Sequence, residues 1–303
     1  MRTTYLGTSD FAAAVLRRLA ESPHRPALVV TPPDRRRGRG RRMASPPAAE
    51  SAGELGLELH QTEDVNSPES VAAIRAVAPE VVAVCAFGQL IKEPLLSDHL
   101  MLNVHPSLVP RWRGAAPIER ALIAGDPVTG VTIMRVTEGL DSGPIALSEE
   151  IPISERDDYA MLSSKLAGLG AELLVRALDL LQSGELTFAE QDDSNATYAE
   201  KISPEERRLD PSRPAAELER VIRALTPHIG AHLELDDGER LGVRAASTVA
   251  DALPAGALEG RGGELLLGCA DGALRLETVQ PPGGRPMPAE DFLRGHEPPS
   301  RAR

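Results

Sequence analysis

The first 110 residues alternate short apolar runs with segments whose apolar positions recur at helical spacing. Strands are predicted for TTYLG at 3–7, RPALVVT at 25–31, EVVAVCAF at 80–87 and MLNVH at 101–105. Between them, Ser9 or Asp10 can cap a helix in SDFAAAVLRRLAES, and Ser67 with Pro68 opens another in SPESVAAIRAVAP. Strands and helices that alternate in this way predict an open, mostly parallel α/β sheet, in which ligands gather at the carboxyl ends of the strands.

The same pattern continues beyond residue 110 and then changes. It predicts a helix from Pro117 in APIERALIAG, a strand in GVTIMRV at 130–136 and a long helix over 158–184. From residue 209, one helix in PAAELERVIRAL precedes short apolar runs that are separated by Asp-Gly turn signals at 237–238 and 271–272. We therefore expect a larger α/β domain over 1–188, a polar linker over 189–208 and a smaller β-rich domain, of an OB-like barrel type, over 209–303.

The charge of the chain limits the partners that it can have. Its 303 residues carry a formal net charge of -12, which argues against a surface covered in basic patches. Positive charge is dense only in RRRGRGRR, inside the segment DRRRGRGRRMASPP at 34–47, which we predict to be a polar loop. Since the only lysines are Lys92, Lys165 and Lys201, arginine supplies nearly all the positive charge, and a lone arginine is a weak sign of a special role.

The remaining composition indicates a protein of the cytoplasm. Cys85 and Cys269 lie far apart within apolar runs, which favours buried structural thiols over a disulfide or a metal site. No apolar run approaches the roughly 20 residues that a membrane span needs. The N-terminal residues do not form a signal-peptide pattern. We expect no metal and no membrane partner.

Candidate chemistry first appears at the end of the strand MLNVH. Asn103 and His105 are two residues apart and therefore point to the same side of a strand. An Asn amide can stabilise an oxyanion, and an imidazole can take or give a proton near neutral pH. Asp141, in the loop TEGLDSGP, can orient and charge-stabilise that imidazole if the two strand ends are neighbours. Each residue alone is more often structural, and the spacing of the three leaves a catalytic and a structural interpretation about equally favoured.

Longer segments carry a more specific signal. LNVHPSLVPRWRGAAPIERALIAGD and TGVTIMRVTEGLDSGPI resemble the folate-dependent formyltransferases, in which an Asn-x-His pair, a Ser-Leu-x-Pro turn and a downstream Asp form one active site. YLGTSDFAAAVLRRL and AFGQLI are similar to the same family. The segments that resemble its tRNA-acting members are the Gly-Arg-Gly loop at 38–40, TYAEKIS at 197–203, LERVIRALTP at 218–227 and GRPMPAEDFL at 284–293. The resemblance implies a Rossmann-like formyltransferase domain and a C-terminal domain that binds tRNA.

The resemblance also implies a reaction and the residues that carry it. A monomeric enzyme transfers the formyl group of 10-formyltetrahydrofolate to the α-amine of initiator methionyl-tRNA, in support of translation initiation. Asn103, His105 and Asp141 are the implied catalytic residues. The implied folate contacts lie in the Ser-Leu-x-Pro turn and after the strand at 80–87: Ser107, Leu108, Val109, Pro110, Phe87, Gly88, Gln89, Leu90 and Ile91. For the second group, the end of a core strand is the competing interpretation.

The tRNA contacts are expected where positive charge is concentrated. The basic loop supplies Arg35, Arg36, Arg37, Arg39, Arg41 and Arg42, which suit phosphates, although a solvated flexible loop explains the same composition. Arg111 and Trp112 form a second candidate contact, because an indole can stack on a base. After residue 209 there is no basic block, although scattered arginines can still form one face: Arg213, Arg220, Arg223, Arg240 and Arg244.

Other functions remain open at this point. The same chemistry can serve an amino-sugar nucleotide or glycinamide ribonucleotide as acceptor, and a hydrolase can release formate from the same folate. A non-catalytic RNA-binding module on a Rossmann-like sheet is a rival of another class, and the set Asn103, His105 and Asp141 speaks against it. A dehydrogenase is disfavoured because no Gly-x-Gly-x-x-Gly fingerprint follows the first strand.

Overall fold

The apolar runs become strands, with several shorter strands between them. The computed structural model describes residues 1–37, 42–296 and 300–302. Its strands up to residue 199 are β1 (Thr3–Gly7), β2 (Pro26–Thr31), β3 (Arg35–Arg37), β4 (Arg42–Ala44), β5 (Leu59–Gln61), β6 (Val81–Cys85), β7 (Met101–His105), β8 (Arg113–Gly114), β9 (Val128–Arg135), β10 (Ile145–Pro152) and β11 (Tyr198–Ala199). The later strands are β12 (Ala231–Glu234), β13 (Arg240–Val249), β14 (Leu258–Arg261), β15 (Glu264–Gly268), β16 (Ala273–Gln280) and β17 (Met287–Pro288).

The helices begin where the sequence offers caps or prolines. They are α1 (Asp10–Ala20), α2 (Pro47–Glu54), α3 (Pro68–Ala76), α4 (Leu95–Asp98), α5 (Pro117–Ala124), α6 (Tyr159–Ser183), α7 (Ala215–Leu225) and α8 (Ala289–Gly295). The Ser9 side chain accepts a hydrogen bond from the Ala12 N–H, so Ser9 rather than Asp10 caps α1. Ser67 caps α3 in the same way through the Ser70 N–H. The helices α2, α4 and α8 were not predicted from the apolar pattern.

The main sheet lies in the first of two units into which the chain divides, made of Met1–Pro117, Val128–Pro152 and Ser163–Ala199. Its strand order is β10-β9-β7-β6-β1-β2-β5. The pairs β7–β6, β6–β1, β1–β2 and β2–β5 are parallel, whereas β9 is antiparallel to both β7 and β10. The predicted α/β fold with a mostly parallel sheet is confirmed. Because β6 and β7 are parallel neighbours, the loops that follow them leave the same edge of the sheet.

The segment predicted as a polar loop forms a short hairpin instead. β3 and β4 pair in antiparallel fashion, with Arg35 opposite Ala44 and Arg37 opposite Arg42. Residues 38–41, which include Arg39 and Arg41, lie outside the described residues. The hairpin was missed because its strands consist largely of charged residues, so the alternation of apolar and polar side chains that marks a strand is absent.

The second unit is made of Ile118–Pro127, Ile153–Leu162 and Glu200–Arg303. Its antiparallel sheet has the order β12-β13-β16-β15-β14, with β17 paired to β16. Both predicted Asp-Gly turns join neighbouring strands, and Gly238 and Gly272 take the positive φ that such turns require. The predicted β-rich domain is confirmed. Arg301 and Ala302 bridge residues next to β14 and β12, so a short C-terminal segment joins the two edges of the sheet, as in a barrel.

Each unit has its own apolar core, and each core holds one cysteine or lies beside one. In the second unit, α7 contributes Leu218, Val221, Ile222 and Leu225 to a cluster that also contains Cys269. Cys85 ends the fully buried strand β6. Both thiols are free and buried, and burial raises the pKa of Cys85 to about 12 and that of Cys269 to about 11. The predicted buried thiols are therefore present.

Two features are absent from the described ranges. No helix there combines the length and the apolar character that crossing a membrane requires. No group of three or more His, Cys, Asp or Glu side chains in those ranges is arranged to hold a metal ion.

Candidate active site

The strand β7 carries Asn103 and His105 on one side, at the edge of the sheet where its parallel neighbours also end. Asn103 lies between Val84 of β6 and Met134 of β9, and His105 lies opposite Thr132 of β9. His105 is buried and Asn103 is half-buried. Their shared orientation follows from the two-residue period of a strand.

Asp141 reaches both residues from the loop that follows β9. Its Oδ1 accepts a hydrogen bond from Asn103 Nδ2 at 3.3 Å, and its Oδ2 lies 3.7 Å from His105 Nδ1. The Oδ2 atom also accepts the Gly114 N–H at 2.9 Å. The structure therefore brings the three predicted residues together, with one carboxylate between an amide and an imidazole.

The hydrogen bonds of His105 determine which of its nitrogens can exchange a proton. Nε2 lies 2.9 Å from the carbonyl oxygen of Trp112. A carbonyl oxygen only accepts hydrogen bonds, so Nε2 carries the hydrogen. Nδ1, which faces Asp141, is then the nitrogen that can gain or lose a proton.

The turn after β7 is stabilised by hydrogen bonds of Ser107. The Ser107 hydroxyl donates to the Arg111 carbonyl oxygen at 2.6 Å, and the Ser107 carbonyl accepts the Thr132 hydroxyl at 2.8 Å. Val109 is buried, whereas Leu108 and Pro110 are half-buried. The Ser107 hydroxyl also lies 3.4 Å from the carbonyl oxygen of Trp112, which is the partner of His105 Nε2.

The segment after β6 divides into buried and open positions. Phe87 and Ile91 are part of the apolar core of the first unit. The Gln89 side chain joins two backbone segments, because it accepts the Val65 N–H and donates to the Thr62 carbonyl. Gly88 has a φ of 80°, and no atom lies within 4 Å of the place where a Cβ would stand. Leu90 is 64% exposed, so the open positions are Gly88 and Leu90.

A hydrogen-bond network behind Asp141 was missed by the sequence analysis. Gln191, which lies in the predicted linker, donates from Nε2 to the carbonyl oxygens of Asp141 at 3.0 Å and Gly143 at 2.7 Å. Its Oε1 accepts from Nε and Nη2 of Arg113, at 3.0 and 2.8 Å. Arg113 is buried, so in RWR it differs from the exposed Arg111. No local pattern marks these residues, since they are about 50 to 80 positions from their partners.

The candidate tRNA contacts of the first unit occupy the hairpin and the turn after β7. Arg35 and Arg36 are exposed on β3. Arg37 and Arg42 are paired in the hairpin backbone, and Arg39 and Arg41 fall outside the described residues. The Arg111 guanidinium lies 4.4 Å from the centre of the Trp112 ring, a cation–π contact that holds both side chains in one place.

In the second unit, the scattered arginines differ in how they are neutralised. Arg213 pairs with Glu217, Arg223 with Glu219 and Arg240 with Glu234, whereas Arg220 donates to the Ile123 carbonyl. Arg244 instead donates to Gln280 Oε1, a neutral acceptor, from Nε and Nη2. Burial and the positive charge of Arg207 lower the pKa of Arg244, so these two guanidinium groups are close to each other.

Comparison with known proteins relates this geometry to a family. The formyl transferase model matches residues 1–178, and the model of the formyl transferase C-terminal domain matches residues 201–297. The chain belongs to the formyl transferase family. Two curated members are the methionyl-tRNA formyltransferases of Halorhodospira halophila and Methylococcus capsulatus. Each is 42% identical to this chain, over 97% and 98% of its length and over 96% and 97% of their own.

Solved structures of more distant proteins share the family fold. HypX from Aquifex aeolicus, determined in complex with tetrahydrofolic acid, matches 97% of this chain with a TM-score of 0.67 and 18% identity. The chain spans 47% of the length of HypX. An N-formyltransferase from Helicobacter canadensis matches 90% of this chain with a TM-score of 0.62 and 13% identity. At these identities, the formyl transferase fold alone is established by the match.

Proposed function

We propose that this chain transfers the formyl group of 10-formyltetrahydrofolate to the α-amine of the methionyl group on initiator methionyl-tRNA, in the cytoplasm and as a monomer. The observation that carries the chemistry is the cluster of Asn103, His105 and Asp141 at the carboxyl end of β7. The acceptor follows from the relatives named methionyl-tRNA formyltransferase, which match the chain over both units. In the reaction, the amine nitrogen bonds to the formyl carbon, the bond from that carbon to the folate N10 breaks, and one proton passes from the amine to N10.

Asn103 stabilises the negative charge that develops on the formyl oxygen. One N–H of its amide is directed to Asp141 at 3.3 Å, which fixes the plane of the amide group. The same nitrogen carries a second N–H, which is the donor that an oxyanion needs. Replacing a single oxyanion donor lowers kcat by about 10² to 10³-fold.

His105 moves the proton. Its Nε2–H is held by the Trp112 carbonyl, so Nδ1 takes the proton from the attacking amine and returns it to the leaving nitrogen. Asp141 lies next to Nδ1 and stabilises the imidazolium that forms between these two steps. A free α-amine titrates at roughly 7.7 to 8.0, so an amine near neutral pH needs a partner that accepts its proton.

The formyl donor fits beside the segment after β6. Gly88 leaves open space along the backbone, and the exposed Leu90 offers an apolar side chain next to it. The segment leaves β6 close to Asn103, because Val84 and Asn103 are paired across β6 and β7. An open backbone and an apolar flank suit a flat ring. This segment is supported by Phe87 and Ile91, which pack in the core, and by Gln89, which accepts the Val65 N–H. The turn after the neighbouring strand β7 is formed by Ser107 to Pro110.

Exposed guanidinium groups support a polyanionic acceptor despite the net charge of -12. Arg35 and Arg36 lie on the hairpin, and Arg111 lies on the turn after β7.

In the second unit, Arg207 and Arg244 form a pair around Gly230, which we call the Gly230 arginine pair. Arg207 donates to the Gly230 carbonyl, and a Cβ at Gly230 would collide with the Arg244 guanidinium. Two cations without a carboxylate partner among the described residues are a favourable site for phosphate.

One assay separates this function from its rivals. The protein is incubated with 10-formyltetrahydrofolate and with initiator methionyl-tRNA, elongator methionyl-tRNA, glycinamide ribonucleotide or an amino-sugar nucleotide, and formylated product and free formate are measured. We expect product only with initiator methionyl-tRNA. In Asn103→Ala, kcat should fall by about 10² to 10³-fold with folate binding retained. A variant that binds folate normally and keeps the wild-type rate would refute the role of Asn103.

A further inference from the structure

The conformation of Asp141 requires an explanation that the catalytic cluster alone does not supply. Its φ is 46°, in the left-handed region that residues other than glycine rarely adopt. Such a backbone persists only where surrounding contacts determine it. The carboxylate contacts with Asn103 and Gly114 act on the end of the side chain. The main chain of the loop must therefore be held by something else.

Gln191 holds that main chain at the strained residue and two residues after it. Its Nε2 donates to the carbonyl oxygens of Asp141 and Gly143, at 3.0 and 2.7 Å. Both carbonyls belong to the loop between β9 and β10. The segment before Gln191 is fixed beside the end of this loop, because Ala189 exchanges backbone hydrogen bonds at 2.8 and 2.9 Å with Ile145, the first residue of β10.

The other end of the Gln191 amide is also fixed. Its Oε1 accepts two hydrogen bonds from Arg113, whose side chain is buried. Since carbonyl oxygens only accept and guanidinium groups only donate, the amide can take only this orientation. A glutamate in its place would keep the arginine bonds but could not donate to the two loop carbonyls.

We propose that Gln191 is a positioning residue for formyl transfer, which sets the main chain around Asp141 so that its carboxylate reaches Asn103, Gly114 and His105. The inference rests on the proposed role of Asp141. Gln191 does not act on the substrate itself, because its Nε2 is bonded to two loop carbonyls and its Oε1 is bonded to Arg113. Its effect on the rate must therefore pass through Asp141.

The decisive variant is Gln191→Glu, which keeps the shape and the Arg113 contact while it removes the two donors. Gln191→Leu serves as the second variant, which removes both contacts. A displacement of about 1 Å at a reacting group lowers the rate on the order of 10²-fold, so we expect kcat to fall by about 10- to 100-fold. The KM for the formyl donor should stay near the wild-type value. Asp193→Asn is the matched control, since it removes the negative charge of the exposed partner of Arg113 and leaves Gln191 in place.

Two further measurements separate positioning from a general loss of structure. In an Asp141→Asn background, where asparagine tolerates the left-handed backbone, Gln191→Glu should lower kcat no further. The second readout needs no activity: the Gly114 amide, which donates to Asp141 Oδ2, should exchange with solvent at least tenfold faster in Gln191→Glu than in the wild type or in Asp193→Asn.

Each result bears on a different claim. Equal losses in the Asp141→Asn and wild-type backgrounds, an unchanged Gly114 exchange rate, or an equal loss in Asp193→Asn would each overturn the inference. If Asp141→Asn itself keeps the wild-type rate, the catalytic role of Asp141 fails, and the exchange rate still decides whether Gln191 holds the loop. If the wild type formylates no methionyl-tRNA, the proposed function fails, and the same exchange measurement again decides the positioning role.

Discussion

The Gly230 arginine pair gives the sharpest prediction about the acceptor. Arg207 and Arg244 approach each other around Gly230, and neither has a carboxylate within 4.0 Å among the described residues. Burial lowers the pKa of Arg244, and the positive charge of Arg207 at close range lowers it further. A bound phosphate would relieve the repulsion between these two charges. We therefore expect each guanidinium to contact one backbone phosphate of the tRNA.

The expected size of the effect follows from counterion release. Each phosphate contact contributes about 0.7 to 0.9 to the slope of log affinity against log salt concentration. Removing two contacts should flatten that slope by roughly 1.4 to 1.8. Between 50 and 200 mM salt, the KM for tRNA of the double variant Arg207→Gln, Arg244→Gln should therefore change by about tenfold less than that of the wild type.

The assay measures kcat and KM for initiator methionyl-tRNA at a series of salt concentrations. At saturating tRNA, kcat should stay near the wild-type value, because Arg207 and Arg244 are bonded to Gly230 and Gln280 and would act on tRNA binding alone. Arg294→Gln is the control, since Arg294 is exposed and already paired with Glu290 and Asp291. An unchanged salt slope in the double variant, or an equal change in the control, would show that the pair does not contact phosphate.

Further predictions concern the thiols, the site loop and a core. Neither Cys85 nor Cys269 should react with a thiol reagent at pH 8 until the protein unfolds. Because the pKa values of both thiols are raised on folding, their contribution to stability should be lost as the pH rises from about 9 towards about 12. In Gly143→Ala, the new Cβ would collide with the Arg135 carbonyl, so kcat should fall by about 10²-fold as the site loop moves. Leu225→Ala should lower the free energy of unfolding in urea by about 2 to 5 kcal/mol, because Leu225 is fully buried on α7.

Local pattern was sufficient for the elements that position the site. The run that became β6 is a continuous apolar segment, and the run that became β7 is apolar except for Asn103 and His105. A parallel pair of such strands must end at one edge. This geometry made Asn103 and His105 visible as a pair. It could not decide whether the loop of Asp141 reaches them, because that depends on the antiparallel placement of β9 beside β7. Resemblance to the family supplied that step.

What the sequence did not reveal are contacts between distant positions. Gln191 lies in a polar stretch that composition indicates to be a linker, yet its side chain reaches back to Asp141 and Arg113. Arg113 lies two positions after the exposed Arg111, yet it is buried. In both cases the environment is set by the pairing of β8 with β11, two short strands that leave no periodic signal.

Backbone strain is distributed unevenly along the described chain, and its distribution connects the fold to the site. Four described residues other than glycine have a positive φ. Ala78 follows α3, whereas Ala86 precedes the open segment after β6, Trp112 presents its carbonyl to His105, and Asp141 carries the carboxylate. Each such residue is unfavourable by about 1 to 3 kcal/mol, a large fraction of the roughly 5 to 15 kcal/mol that stabilises a domain.

Side chains from distant parts of the sequence hold Ala86, Trp112 and Asp141 in place. The Thr8 hydroxyl donates to the Phe87 carbonyl next to Ala86, the Trp112 N–H donates to the Thr197 hydroxyl, and Gln191 donates to the Asp141 carbonyl. A relaxed backbone at Trp112 would turn its carbonyl away from His105, and one at Asp141 would turn its carboxylate away from Asn103. We infer that the hydrogen bonds from Thr8, Thr197 and Gln191 offset the strain. The backbone is locally less stable at these positions, and this conformation directs the groups that the reaction uses.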